Sequence, residues 1–105
     1  MTPTRGEVWW AEVEGQAGRR PMLVLTRSEA IQVLGKVVVA PITRTVRGLR
    51  SEVRLEPEDG MPTSCAASFD NLATIPKANL TELVTVIGPH RLLELCDALR
   101  FALDC

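Results

Sequence analysis

Histidine, cysteine and tyrosine are scarce in this chain of 105 residues. There is one histidine, His90, no tyrosine, and three cysteines, Cys65, Cys96 and Cys105, none of them in a C-x-x-C pair. A zinc site needs several His, Cys or carboxylate ligands at a compatible spacing, and the sequence contains no such spacing. A ribonuclease mechanism that uses two histidines is impossible with one imidazole. We therefore expect no metal and no cofactor.

Long hydrophobic runs are also missing. No segment approaches the roughly 20 apolar residues that a membrane helix needs, and residues 1–7 lack the apolar core of a signal peptide. Hydrophobic residues make up 46% and charged residues 24% of the chain, which is typical of a globular protein. The length suits one domain. The sequence thus predicts a single domain, residues 1–105, in a cytoplasmic protein with no membrane partner.

The charges are unevenly distributed along the chain, although the net charge is only −1. Residues 1–54 carry nine Lys or Arg against five Asp or Glu, whereas residues 55–105 carry three against eight. Such an asymmetry is typical of a protein that presents one face to a polyanion and another face to a different partner. Charges scattered over solvated faces would give the same counts, so the counts leave both interpretations open.

Short runs of β-forming residues, separated by glycine and proline, predict five or six strands. Residues 22–26 form a continuous apolar run, which is typical of a buried central strand. Pro41 lies inside the run KVVVAPIT and predicts an edge, a bulge or a strand end there. Ser28 is a candidate N-cap for one or two helical turns up to Leu34. The predicted strands are 6–13, 22–26, 36–43, 51–56, 65–69 and 84–87.

A helix is predicted at the C-terminus. Gly88 and Pro89 open it, with proline at the first helical position and His90 as a surface residue of the first turn. Apolar side chains follow at i, i+4, i+7 and i+11, which places them on one face; they are Leu92, Cys96, Leu99 and Leu103, and Leu95 widens this face. The predicted architecture is α+β, a strongly curved sheet or small barrel of short strands capped by this helix.

Two glycine-containing loops rich in arginine, 14–21 and 44–50, each follow a predicted strand, so both are expected on one rim of the sheet. A guanidinium donates bidentately to phosphate and stays charged. An ordinary solvated surface would show the same residues, and spacing alone does not decide between the two. The candidate phosphate ligands are Arg19 and Arg20 in the first loop, Arg44 and Arg47 in the second, and Thr43 at the end of the third strand.

Two further pairs of residues are candidates for contact with a nucleic acid base. Asp70 and Asn71 follow a predicted strand, where they would either read base edges or form an Asx turn. Trp9 and Trp10 are neighbours in the first strand and must face opposite sides of the sheet. One is therefore expected in the core. The more exposed one would stack a base, pack against a partner chain or simply cover the sheet.

Four segments give the chain a family resemblance. They are RGEVW at 5–9, GRRPMLVL at 18–25, VAPIT at 39–43 and FDNLATI at 69–75. In this order and at these spacings, the chain resembles the MazF/PemK family of bacterial toxin endoribonucleases over nearly its whole length. The resemblance implies a small SH3-like β-barrel of five to seven short strands with a short helix and a C-terminal helix, assembled as a homodimer.

The resemblance also implies an activity and its residues. Members cleave single-stranded RNA, usually mRNA, sequence-specifically and without a metal. The family's catalytic arginine and threonine fall on Arg20 and Thr43, and its RNA-contacting positions fall on Asp70 and Asn71. At one position where many relatives carry an arginine, this chain has Ala73. Attack by the RNA 2′-OH would give a 2′,3′-cyclic phosphate and a 5′-OH, with Arg20 stabilising the phosphoryl charge and Thr43 orienting the phosphate.

A MazE-type antitoxin is the protein partner that the resemblance implies. We expect an acidic, partly disordered segment of it to cover the basic residues of the first half, Arg19, Arg20, Arg44 and Arg47. The main alternative function is a CcdB-like toxin that binds gyrase without cutting RNA, because fold does not determine function. A plain SH3-like interaction module is disfavoured because the chain lacks an aromatic-lined groove for proline-rich ligands.

Overall fold

The computed structural model describes residues 2–13, 15 and 18–104 of the chain. They form an antiparallel sheet of seven strands in the order β4-β5-β3-β2-β1-β7, with β6 also paired to β3. The elements are β1 (Glu7–Glu12), β2 (Arg19–Val24), α1 (Ser28–Ile31), β3 (Lys36–Thr43), β4 (Glu52–Leu55), β5 (Cys65–Ser68), β6 (Ala73–Pro76), β7 (Leu80–Val86) and α2 (Leu92–Leu103). No helix in this part of the chain is long and apolar enough to cross a membrane.

The predicted α+β class is confirmed, and the prediction of a barrel is not. The strands follow an open path from β4 to β7, and no pairing among the described residues joins these two edges. The sequence patterns predicted the other six strands of the sheet and did not predict β6. The predicted loop 14–21 was wrong in its last three residues. Arg19, Arg20 and Pro21 pair with β1 and form the start of β2. Residues 14, 16, 17 and 105 lie outside the described residues.

The strand β3 organises the sheet because it pairs along both of its edges. One edge pairs with β2. The other edge pairs with β6 through residues 36–39 and with β5 through Ile42 and Thr43. This change of partner divides the sheet into two halves that share β3.

Pro41 lies inside β3, where the absence of an N–H matters. The backbone oxygen of Val38 accepts a hydrogen bond from Leu25 N–H at 2.9 Å. The backbone groups of Val38 therefore face the edge of β3 on which β2 lies. Successive residues of a strand alternate between edges, so Pro41, three residues on, faces the opposite edge. There it lies between the last pair with β6, at Val39, and the first pair with β5, at Ile42. Proline is tolerated because no ladder hydrogen bond is required in this gap.

The sheet buries apolar side chains on both faces. One core contains Val8, Leu23 and Phe69, and α2 covers it. The other contains Trp9, and Ile31 of α1 packs into it. Trp9 is only 4% exposed while its neighbour is half-buried, which confirms the predicted division between the two tryptophans. The exposed part of the Trp10 side chain therefore belongs to the protein surface, near the end of β1 and the start of β2.

The helix α2 buries its predicted apolar face only in part, because Leu95 is buried and Cys96 and Leu99 are half-buried. Leu95 and Ala98 are buried, whereas Leu92 and Leu103 are 42% and 55% exposed. The helix carries two overlapping apolar faces. The one that packs contains alanines, which allow the helix to approach the sheet closely, with Leu99 and Ala102 half-buried beside it. Another correction concerns Ser28, which does not cap α1; its Oγ accepts a hydrogen bond from Arg5 N–H.

A buried ion pair fixes the start of α2 to the loop between β4 and β5. The Asp59 carboxylate, whose side chain is 3% exposed, accepts hydrogen bonds from Arg91 Nε at 3.1 Å and Nη2 at 3.0 Å. It also accepts one from Glu56 N–H, and its backbone oxygen accepts one from the Thr85 hydroxyl. The hydrogen bonds from Arg91 lower the pKa of Asp59 below its ordinary value of 3.8, although burial acts in the opposite direction.

Arg91→Ala should lower the free energy of unfolding by roughly 3–5 kcal/mol at neutral pH, because it leaves a buried carboxylate without its cation. The pKa of Asp59 is lower in the folded than in the unfolded chain, so the pair contributes fully above pH 3.8 and progressively less below it. The difference between the two proteins should therefore shrink at about pH 2. Urea denaturation at both pH values measures it.

The matched control is Arg100→Ala, which removes an exposed arginine from the same helix. It should change the free energy of unfolding by no more than about 0.5 kcal/mol. An Arg91→Ala loss as small as that of the control would contradict the anchoring role of the ion pair.

Candidate functional site

A cleft of about 450 Å³ opens where β2 begins and β3 ends. The loop after β4 forms its other wall. The lining combines positive charge, hydroxyl groups and apolar surface, which is the combination expected for a ligand with both phosphates and bases. Its lining residues are Arg19, Arg20 and Arg44; Thr43, Thr63 and Cys65; and Trp10, Pro21, Ile42, Met61, Pro62 and Val84.

The register of the sheet brings Arg20 and Thr43 together. Strands β2 and β3 pair from Val24–Val39 to Met22–Pro41, and just beyond this last pair Arg20 of β2 and Thr43 of β3 both line the cleft. Opposed residues of antiparallel strands project from the same face. Ala11 is opposite Arg20, and Ala66 is opposite Thr43. Both of these alanines are buried, whereas Arg20 is exposed and Thr43 is half-buried.

The Thr43 hydroxyl is oriented by the backbone of the following loop. Its Oγ1 accepts a hydrogen bond from Thr45 N–H at 3.1 Å. The hydroxyl hydrogen therefore remains to donate to another acceptor. Thr43 is half-buried at the end of β3, so its position is set by the sheet rather than by the loop.

The three arginines of the cleft differ in what neutralises them. Arg19 Nη1 lies 2.7 Å from Glu82 Oε1, and its guanidinium carbon lies 5.1 Å from the centre of the Trp10 ring. Within the described part of the chain, the guanidinium groups of Arg20 and Arg44 make no ion pair or hydrogen bond. Among the described residues, nothing competes with an anion in the cleft for the charges of Arg20 and Arg44.

The acid–base groups of the cleft are few. Of the described residues that line it, none is Asp, Glu or His. Cys65 is buried, and burial raises the pKa of its thiol, which accordingly stays protonated and donates to the Leu55 carbonyl oxygen. No group of three His, Cys, Asp or Glu among residues 2–13, 15 and 18–104 could hold a metal ion. The chemistry that the lining offers is charge stabilisation and hydrogen-bond donation.

The other predicted site residues are not brought into this cleft. Arg47 lies in the exposed loop after β3, where its backbone N–H donates to Glu52. Asp70 and Asn71 form a 3₁₀ turn after β5 and bond to serines, Asp70 to the Ser51 hydroxyl and Asn71 to the Ser68 hydroxyl. The β5 strand runs away from its pair Ala66–Thr43. Asp70 is four residues beyond that pair, past the end of β5 at Ser68.

Ala73, at the position where many relatives carry an arginine, is exposed at the start of β6 opposite Val39. It also lies outside the lining of the cleft. The replacement of an arginine by alanine there leaves the charges beside Thr43 unchanged.

Sequence reasoning missed the far wall of the cleft and the partner of Arg19. Residues 61–63 have no recognisable motif, and they line the cleft because Met61 is anchored in the core beneath. Glu82 lies 63 residues from Arg19. Only the pairing of β1 with both β2 and β7 places them together, with Trp10 opposite Glu82. Glu82 lies before the predicted strand 84–87, whereas β7 begins at Leu80, so the sequence patterns did not indicate Glu82 as a partner of Arg19.

Comparison with known proteins gives the same assignment over almost the whole chain. The family model described as PemK-like, MazF-like toxin of type II toxin–antitoxin system matches residues 4–103. Probable endoribonuclease MazF5 of Mycobacterium tuberculosis strain H37Rv is 43% identical over 104 residues, which are 98% of this chain and 94% of that protein.

Solved structures agree in fold. The Mycobacterium tuberculosis toxin MazF-mt6 superimposes with a TM-score of 0.86 at 34% identity, covering 93% of this chain and 96% of its own. A MazE-MazF structure from Deinococcus radiodurans gives a TM-score of 0.82 at 26% identity, covering 98% and 96%. With its family model matched from residue 4 to residue 103, the chain belongs to the PemK/MazF family of toxins of type II toxin–antitoxin systems.

Proposed function

We propose that this toxin is an endoribonuclease that cleaves single-stranded RNA, typically mRNA, sequence-specifically and without a metal, in the cleft at the ends of β2 and β3. The observation that carries the proposal is that Arg20 and Thr43 line the same cleft, where Arg20 has no ion-pair partner among the described residues and the Thr43 hydroxyl hydrogen is available. The names of the relatives, probable endoribonuclease MazF5 among them, support it. Nothing in the cleft or among these relatives favours a gyrase-binding toxin.

The reaction that suits these residues is an internal transesterification. The RNA 2′-oxygen forms a bond to the adjacent phosphorus, and the bond from phosphorus to the 5′-oxygen breaks. The products are a 2′,3′-cyclic phosphate and a 5′-OH end. Water takes the 2′-OH proton and supplies the proton of the leaving oxygen, because no Asp, Glu or His is among the described residues that line the cleft.

Arg20 and Thr43 have distinct parts in this reaction. Negative charge increases on the non-bridging phosphoryl oxygens as the 2′-oxygen attacks, and the fixed guanidinium of Arg20 stabilises it. A guanidinium is a poor base because it keeps its proton and stays charged in proteins. The Thr43 hydroxyl donates to the phosphate and holds it in line for attack. Arg44 adds a second positive charge that attracts the RNA backbone.

Arg20→Ala and Thr43→Ala should each reduce RNA cleavage by about 100-fold or more, the scale of losing one preorganised donor. The measurement is the rate at which a long mixed-sequence RNA is cut in EDTA, with the cut ends mapped. Discrete cuts that carry 5′-OH ends are expected from the unmodified protein.

Arg100→Ala, which changes a charge on α2 away from the cleft, should cut at the rate of the unmodified protein. Cleavage by both cleft variants at that same rate would refute the site. An RNA left intact by folded, unmodified protein would refute the activity itself.

We also propose that the toxin is a homodimer. The helix α2 exposes several large apolar side chains, Leu93 at 77% among them, with Leu92, Phe101 and Leu103 also exposed. Exposed large apolar side chains concentrated on one helix are typical of a protein–protein interface, and the resemblance to the family supports self-association.

Leu93→Glu should shift the protein from dimer to monomer, because it introduces a charge into an apolar interface. Sedimentation equilibrium measures the mass. Glu29→Lys is the control, since it changes an exposed charge on α1 and should leave the dimer intact. A monomeric unmodified protein, or a Leu93→Glu variant that stays fully dimeric with unchanged affinity, would contradict this interface.

We further propose that an acidic segment of the cognate MazE-type antitoxin covers the basic residues around the cleft. The support is charge complementarity with Arg20 and Arg44, together with the existence of a MazE-MazF structure for a relative. Arg19 and Arg47 would lie at the margin of the covered surface.

Poly-L-glutamate, a generic acidic chain, should inhibit RNA cleavage at low salt and lose its effect as the ionic strength rises, since ion pairing with the cleft is screened. The inhibition constant should rise in Arg44→Ala, which removes one of the free charges. Cleavage that poly-L-glutamate does not inhibit at low salt would contradict the electrostatic part of the proposal.

A further inference from the structure

Three side chains at the mouth of the cleft form a layered arrangement. The Trp10 ring is half-buried on the sheet surface, and the Arg19 guanidinium lies over it at 5.1 Å from the ring centre. Glu82 holds the guanidinium from the side, with 2.7 Å between Oε1 and Nη1. We call these three residues the Trp10 stack.

The sheet register accounts for the order of this stack. Trp10 is opposite Pro21 on β2 and opposite Glu82 on β7, while Arg19 is opposite Glu12. Alternate residues share a face, so Arg19 and Trp10 are diagonal neighbours on the same side of the sheet. Because strands on both sides of β1 supply the partners, the guanidinium is held in place before any ligand arrives, and little further side-chain entropy is lost when one binds.

The charge of Arg19 makes it different from the other arginines in the cleft. Glu82 neutralises it, whereas Arg20 and Arg44 have no acidic partner among the described residues. A phosphate would have to compete with this carboxylate for Arg19, and would bind the unpaired arginines first. The side chain of Arg19 is nevertheless 45% exposed, so part of the guanidinium beyond Glu82 and the Trp10 ring faces solvent.

A planar, neutralised and exposed guanidinium is suited to stacking. Unpaired RNA bases stack on aromatic rings and on arginine planes. We propose that the Trp10 stack is a base-binding subsite, in which one RNA base stacks on the outer face of Arg19 while the adjacent phosphates bind Arg20 and Arg44. This rests on the proposed function and assigns Arg19 to a base rather than to the phosphate backbone.

The experiment compares two uncleavable strands of twelve nucleotides with identical 2′-O-methyl backbones. One carries a mixed base sequence and the other is abasic throughout. Arg19→Lys keeps the positive charge and the pairing with Glu82 but removes the plane. It should weaken binding of the base-bearing strand by about 5-fold or more, the lower end of one stacking contact. Its affinity for the abasic strand should equal that of the unmodified protein.

A second variant tests the phosphate alternative without changing the net charge. Arg19→Gln combined with Glu82→Gln removes one positive and one negative charge. The slope of log affinity against log salt concentration should stay unchanged if Arg19 contacts a base. It should fall by about 0.7 if Arg19 contacts a phosphate of a single strand.

Arg54→Lys is the matched control. Arg54 is an exposed arginine paired with Glu56 at 2.8 Å, and it lies outside the lining of the cleft. It should bind both strands as the unmodified protein does. Three results would each overturn the base-binding subsite. Arg19→Lys could lower the affinity for both strands equally, or for neither strand. The double variant could also show a reduced slope of log affinity against log salt concentration.

The test of the Trp10 stack does not depend on the proposed nuclease activity, because binding is measured on strands that cannot be cut. A base-dependent loss in Arg19→Lys, in a protein that leaves ordinary RNA intact, would uphold the stack and refute the nuclease. Cleavage of ordinary RNA by a protein whose Arg19→Lys variant binds both strands normally would uphold the nuclease and refute the stack. Absence of binding to either strand would overturn the subsite.

Discussion

The pairing of β3 along both edges is the constraint on which the rest of the structure depends. One edge is hydrogen-bonded to β2, and the other to β6 and then to β5. Buried backbone donors and acceptors must be paired, and a slip of one residue would turn every side chain of β3 to the other face. Such a slip would separate Thr43 from Arg20 and take Val39 out of its core. The register that satisfies the backbone therefore also forms the cleft.

The cleft and the hydrophobic core share residues, which links function to stability. Met61 belongs to the core cluster and also lines the cleft. Two residues before it, Asp59 joins this loop to the start of α2 through Arg91 and to β7 through Thr85. Gly60, between Asp59 and Met61, has a φ of +94°, and a Cβ there would lie 2.2 Å from the Thr85 hydroxyl oxygen. The wall of the cleft is thus held by a buried ion pair and by a position that only glycine can occupy.

The arginines of the cleft are of two kinds, which differ in whether an acidic side chain pairs with them. The amino-acid composition alone cannot distinguish these two kinds. Arg20 and Arg44 have no ion-pair partner among residues 2–13, 15 and 18–104, which suits them to phosphate. Arg19 is paired with an acid and held over an aromatic ring. A cleft with both kinds of arginine beside apolar surface matches the chemistry of a single RNA strand, which presents charged phosphates along its backbone and flat apolar faces on its bases.

Residue patterns and the family resemblance were enough to predict the α+β class, most of the strands and two residues that line the cleft, Arg20 and Thr43. Strands follow from local alternation and from β-branched residues, and Arg20 and Thr43 lie in segments that carry the family resemblance. Only the tertiary structure decided the strand β6, which part of the apolar face of α2 is buried and the partner of Arg19. Each of these depends on residues distant in the chain, such as Glu82 at 63 positions from Arg19. Local sequence patterns indicate whether a side chain faces the core or the solvent, whereas the pairing of distant strands determines which residue it contacts.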